Sequence, residues 1–149
     1  MAILEFSLDL PSQPNQLMKL SEDYENLPKY LPDQLKSVRI IEKNETETIT
    51  EETIVFITLL KRNIVQQASH IKNNDNQLIT EIISGPAKGT KIITLFEKND
   101  SGSRVSFQLD LKLSFKAKIL QPLIIKYYKM VLTSVLYKMN SHIIELESK

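Results

Sequence analysis

The hydrophobic period changes once along this chain, near residue 114, and that change limits the architectures open to it. Over Ser103 to Ser114, Val105, Phe107, Leu109, Leu111 and Leu113 are opposed by Arg104, Ser106, Gln108, Asp110 and Lys112. That alternation is the period-two signature of a strand with one face in the core and the other in solvent. Beyond it the period lengthens. At about 100° per residue, Ile124, Tyr128, Val131, Leu132, Val135, Met139, Ile143 and Leu146 share an apolar sector of roughly 120°. This predicts one long amphipathic helix opened by Pro122, whose missing N–H is tolerated at a first helical position. Running to Glu147 it would span on the order of 39 Å, enough to lie across a whole sheet.

The segments before the change read as strands and two short helices. Ala2 to Leu10 alternates with Leu4, Phe6, Leu8 and Leu10 on one face and ends at Pro11. Ser12 is then placed to cap a helix over Gln13 to Glu22. Strands are predicted at Leu35 to Lys43, Thr46 to Leu60, Asn63 to Lys72, Gln77 to Ser84, Thr90 to Lys98 and Ser103 to Ser114. The connections are turn-rich, as at Asn73-Asn74-Asp75-Asn76 and Asn99-Asp100-Ser101-Gly102. Short connections make consecutive strands antiparallel neighbours, hence a meander. One helix cannot cover seven strands, so the sheet must curve around it. That curvature leaves a gap near the short helices for a ligand, or for large side chains.

Composition bounds the rest. With 149 residues, 42% hydrophobic and 25% charged, the chain suits one globular domain over residues 1–149. The absence of cysteine removes disulfides, thiolate metal sites and cysteine nucleophiles. The start, MAILEFSLDLP, carries Glu5 and Asp9 in its apolar run and no basic region, which argues against a signal peptide and makes the cytoplasm the expected location. Ile119 to Leu136 is interrupted by Gln121, Lys126 and Lys129 and falls short of a clean span of about 20 residues, so it is not read as a transmembrane helix. Net charge is +1, yet no Asp or Glu occurs from Leu111 to Ile144, where six lysines fall. A solvated helix face explains this, and so does a surface that meets anions or a membrane. Ile119, Leu123, Met130 and Tyr137 fall outside the main apolar sector beside Lys118, Lys126 and Lys129. They would touch a membrane, a dimer partner or loops of the same chain. Without aromatic-basic interleaving, nucleic acid is not an expected partner.

Between the first helix and the strands stands DYENLPKYLPD, Asp23 to Asp33. Its two X-Pro steps bound a short helical turn sharply, which suits a lid more than a scaffold. With the element order, this segment resembles the START/Bet v 1 helix-grip superfamily (SRPBCC), in its polyketide cyclase/dehydrase and coenzyme Q-binding branch. Asp23, Tyr24, Pro28, Tyr30 and Pro32 match the pattern D-Y-x-x-x-P-x-[YF]-x-P, and Gly89 to Phe96 followed by Gly102, Arg104 and Val105 resembles a later unit. Thr90 and Lys91 stand where relatives often carry an aromatic. The resemblance implies an α+β helix-grip fold: a seven-stranded curved antiparallel sheet around a long C-terminal helix, with two short helices after the first strand. It also implies a hydrophobic ligand such as a lipid, quinone or polyketide-like compound.

Individual residues carry two readings each. Tyr24 and Tyr30 either line a cavity mouth with their hydroxyls or anchor the short helix to the sheet, and Leu27 and Leu31 complete an apolar lid in either case. His70, with Gln66 and Ala68 on its face, is a proton-transfer or polar cavity group, or a satisfied core or surface residue. His142, near the end of the helix, is accounted for by the helix dipole. Neither histidine has a carboxylate at ligand spacing, so no metal site is expected. Gly85 to Thr90 lacks the P-loop spacing and reads as a turn. The chain is therefore read as a non-catalytic carrier that needs no cofactor, monomeric or weakly dimeric. Its pocket is drawn from Tyr24, Leu27, Tyr30, Leu31, Phe107, Leu109, Tyr128, Leu132 and Val135. Phe56 and His70 join it if strand register turns them inward. Alternatives are a cyclase or dehydratase in which His70 and tyrosine hydroxyls move protons, and a protein- or ribosome-interaction regulator.

Overall fold

A computed structural model describes residues 2–57 and 61–149. Strand β1 (Ala2–Leu10) leads into helix α1 (Pro14–Ser21) and a 3-10 turn (Tyr24–Lys29). Six strands follow: β2 (Leu35–Lys43), β3 (Glu47–Ile57), β4 (Lys61–Asn73), β5 (Gln77–Ile82), β6 (Lys91–Asn99) and β7 (Gly102–Leu111). Another 3-10 turn (Lys118–Leu120) opens into the long helix α2 (Gln121–Glu147). All seven strands form one antiparallel sheet in the order β1-β7-β6-β5-β4-β3-β2. Sheet and terminal helix have the helix-grip arrangement. The tip of the predicted third strand, through Leu60, lies outside the described residues.

The meander holds from β2 to β7, but β1 is not part of it. It pairs with β7, in the register Leu4↔Leu109, Phe6↔Phe107 and Leu8↔Val105. A period of two fixes which face of a strand is buried, not which strand lies beside it. The α1 and 3-10 segment spans the distance from β1 at one edge of the sheet to β2 at the other. Where the chain leaves β1 it passes close over Gly102. A Cβ there would collide with the carbonyl oxygens of Leu10 and Pro11, at a φ of +146° that side chains rarely adopt.

Ser12 does not cap α1. Gln13 takes that position, its N–H donating to Gln16 Oε1 at 3.2 Å. Ser12 instead binds the far end of the chain: its N–H and its hydroxyl donate to Asn140 Oδ1 at 3.0 and 2.6 Å, and the Ser103 hydroxyl donates to Ser12 O at 2.5 Å. All three residues are buried. This closed polar latch joins β1, β7 and α2, with its buried polar groups satisfied as a dry interior requires.

Several of the most deeply buried side chains neighbour the latch in sequence or belong to the same core. Leu10, Leu17, Val105, Leu109 and Met139 are all nearly inaccessible. Of the apolar sector predicted for α2, Leu146 is exposed. By length and composition the helix over Lys118–Glu147 is apolar enough to cross a membrane, with mean hydropathy 1.2, yet only 17% of that window is buried in the protein. Packing against the sheet therefore uses part of its apolar surface.

Candidate functional site

Even-numbered residues of β3 to β6 line two adjoining chambers beneath α2. The inner chamber, about 180 Å³, lies under the middle of α2. None of the residues lining it is exposed. The outer chamber, about 540 Å³, is bordered by Pro86 and Ala87, by the β7–α2 connection through Leu113, Lys116 and Ala117, and by Leu120 and Leu123. Ile54, Gln66, Tyr127 and Tyr128 line both. Exposed residues, among them Pro86, Ser114, Lys116 and Leu123, lie only on the outer chamber, so the mouth is there.

The Pro-bounded segment does not form this mouth. Tyr24 and Leu27 close the inner chamber at its other end, with Tyr24 buried and stacked on the His70 ring at 4.2 Å between centroids. Of the residues read from sequence as pocket contributors, Tyr24, Leu27, His70, Phe107, Tyr128, Leu132 and Val135 line the inner chamber, and Phe56 the outer one. Tyr30, Leu31 and Leu109 pack in the hydrophobic core instead. Tyr30 meets His142 edge-on at 6.5 Å, an anchoring contact rather than a cavity wall. The register left open at Phe56 and His70 turns both inward.

His70 is the centre of a polar cluster that sequence reasoning missed in part. Its Nε2 lies 2.9 Å from Thr50 Oγ1 and 3.6 Å from Glu52 Oε2, and its Nδ1 lies 2.8 Å from Thr80 Oγ1. Glu52 also accepts hydrogen bonds from the Gln66 amide at 3.0 Å and the Thr50 hydroxyl at 3.2 Å. The Thr50 proton being committed to Glu52, its oxygen accepts from Nε2–H, and Nδ1 pairs with the Thr80 hydroxyl. Burial would raise the Glu52 carboxyl. The hydrogen bond and charge of His70, with the Gln66 and Thr50 bonds, outweigh it and hold the group below the usual carboxylate range. Glu52 is therefore a carboxylate inside a mostly apolar cavity, beside the polar groups of Gln66, His70 and Thr80, its side chain 15% exposed.

Glu52 went unseen because its strand, ETITEETIVFI, is acidic along both faces, and charges in such a run are ordinarily solvated. The available signal was the cross-strand pairing. Glu52 lies opposite Gln66, which puts Thr50 and Glu52 on the same face as Gln66 and His70.

Three tyrosines border the cluster. Tyr24, Tyr127 and Tyr128 all have phenol groups pushed well above their ordinary value, first by burial and then by nearby carboxylates, Glu52 among them. They are hydrogen-bonding groups, not phenolates. Tyr127 donates to Gln34 O at 3.1 Å and packs edge-on against Phe56. Thr90, just before β6, ties it to the end of β7 by accepting from Lys112 N–H and donating to Lys112 O.

Residues 10–139 match the family model described as polyketide cyclase/dehydrase and lipid transport. No curated protein sequence matches the chain. Among solved structures, a protein from Thermus thermophilus superposes with a TM-score of 0.80 at 16% identity, over 97% of this chain and 99% of its own. The Zhui aromatase/cyclase from a Streptomyces species gives 0.76 at 5% identity, over 95% and 92%. A ginseng major latex-like protein from Panax ginseng gives 0.68 at 9%, over 95% and 96%. At such identities the likeness establishes the fold.

Proposed function

The chain belongs to the polyketide cyclase/dehydrase and lipid-transport family, and on that premise we propose that it carries one hydrophobic or amphipathic small molecule between sheet and helix. The apolar body of the ligand occupies the outer chamber, and one polar group reaches the Glu52–Gln66–His70 cluster. The observation that carries this reading is the pairing of a roughly ligand-sized apolar chamber, about 540 Å³, with a single buried polar cluster at its inner end. Because Glu52 is ionised there, the cluster favours a ligand hydroxyl or phenol that can donate, and disfavours a carboxylate. Lipid alcohols, quinols and polyketide-like phenols fit that description, and fatty acids do not. We place this carrier in the cytoplasm as one domain over residues 1–149, with no cofactor. A cysteine-free chain is compatible with that location.

Native mass spectrometry of protein purified from its own host tests the reading, followed by titration with an apolar alcohol and the matching carboxylic acid. A co-purifying hydrophobic compound and preference for the alcohol support it. Protein that arrives empty and binds neither probe overturns it.

A catalytic reading, as a cyclase or dehydratase, is favoured by one observation, the 3.6 Å approach of Glu52 to His70 beneath Tyr24. Against it, both ring nitrogens of His70 are already held by threonine hydroxyls, so proton exchange with a ligand needs one of those bonds broken first. Turnover of a polyketide-like substrate that disappears in His70→Gln, with ligand affinity retained, would establish catalysis.

A further inference from the structure

We propose that the rim of the outer chamber docks on an anionic lipid bilayer, so that the cavity opens toward the membrane rather than into bulk water. Phe115 is 91% exposed and Ile119 84%, at the connection whose neighbours Lys116, Ala117 and Leu120 form the chamber wall. Large apolar side chains so fully exposed, four residues apart on one connection, are unusual on a surface that meets only water. Leu123, 49% exposed, continues the ridge and itself lines the mouth. Lysines flank it: Lys116 and Lys118 on the connection, and Lys126 beside Leu123 and Met130 in a shallow groove.

The charge around the ridge has one sign. No acidic residue occurs between Leu111 and Ile144, and among the described residues none lines the outer chamber or pairs with Lys116, Lys118 or Lys126. An apolar ridge collared by long cationic side chains matches the headgroup boundary of an anionic bilayer: rings and branched chains sink below the headgroups while lysine stems reach back to them. The unburied apolarity of the terminal helix points the same way, since only 17% of its most hydropathic window is covered. The opposite side of α2 is packed in the core, so the helix lies on the membrane and does not cross it. The proposal rests on the carrier reading for its purpose, not for its geometry: a water-insoluble ligand would pass between bilayer and chamber without crossing water.

Co-sedimentation with vesicles tests it, using phosphatidylcholine alone and phosphatidylcholine with about one quarter phosphatidylglycerol. The protein is expected on the anionic vesicles only, with binding that falls as salt rises from about 0.05 to about 0.5 M. Phe115→Glu with Ile119→Glu should lower partitioning by about tenfold or more. Lys116→Ser with Lys118→Ser should lower it by about fivefold or more. All four positions are exposed or lie on the rim, so Tm and circular dichroism should be unchanged. Absence of binding to anionic vesicles at low salt overturns the proposal, as does binding that neither double variant reduces. A dimer dissolved by Phe115→Glu with Ile119→Glu, with no vesicle binding, assigns the ridge to a second copy and also overturns it. Vesicle binding by a protein that proves to carry no ligand would reject the carrier reading and leave the docking surface standing.

Discussion

The two halves of α2 face the same sheet and do opposite things. From Val135 onward the helix is bound in: Val135, Leu136, Met139, Asn140 and Ile143 are buried, and Asn140 closes the latch with Ser12. From Gln121 to Ser134 only Tyr128 is buried, and the helix forms the roof of the cavity. One continuous element thus divides its work along its length, holding the fold at one end and leaving space at the other. Space for a ligand costs stability, because unfilled volume forfeits packing. Only the outer, larger chamber is confined to the half of the helix away from the latch, which limits where most of the cost falls.

If that division is right, the largest loss of stability comes from the latch. Asn140→Leu leaves two donors of Ser12 buried without an acceptor and should cost about 3–4 kcal/mol, read as a lowered urea midpoint. Gly102→Ala, which drives a methyl group into the Leu10 and Pro11 carbonyls, should cost about 3 kcal/mol by the same measurement. Within the cavity, Glu52→Gln should cost about 1.5 kcal/mol at neutral pH. The sign of its pH dependence follows from the lowered folded pKa. Ionised Glu52 stabilises the fold above its unfolded value, near pH ~4.3, and that contribution is lost as pH falls through the folded value. The gap between wild type and variant should therefore narrow below about pH 4; a gap that widened would contradict the hydrogen-bond assignment. At the roof, Ala117→Trp should change stability by less than about 1 kcal/mol while filling the outer chamber and weakening binding of an apolar alcohol about tenfold or more. If Ala117→Trp destabilised the protein as much as Asn140→Leu, the two halves would not be distinct.

The elements were legible because alternation and helical period are local properties. Leu35 to Lys43 is a strand with the predicted boundaries, and α2 begins within one residue of Pro122. What was not legible is what those elements meet. The Ser12 side chain fits a helix cap by position alone, and only the arrival of Asn140, 128 residues later, makes it a latch. Tyr30, Leu31 and Leu109 are apolar residues on inward faces, as a cavity wall requires, but so is a core residue, and burial does not separate the two. Tyr24 and His70 were singled out separately; their stacking depends on how the 3-10 turn folds back over β4. The mouth was expected at the Pro-bounded segment, since a short turn beside an open sheet suggests a lid. That segment seals the inner end, and the mouth lies by the β7–α2 connection, where exposed apolar residues beside lysines had drawn attention for another reason.

The pairing of β1 with β7 sets the order in which this chain can complete itself. Ser7 and Ser106 are 99 positions apart, yet their hydroxyls are 3.0 Å from each other. Strands β2 to β6 have partners close in sequence and can zip as they are made, whereas bringing such distant segments together is entropically costly and slow. During synthesis, β1, with its apolar Leu4, Phe6 and Leu8, has no strand to pair with until β7 has been made. The interval between the synthesis of β1 and that of β7 is when this strand is most exposed to aggregation.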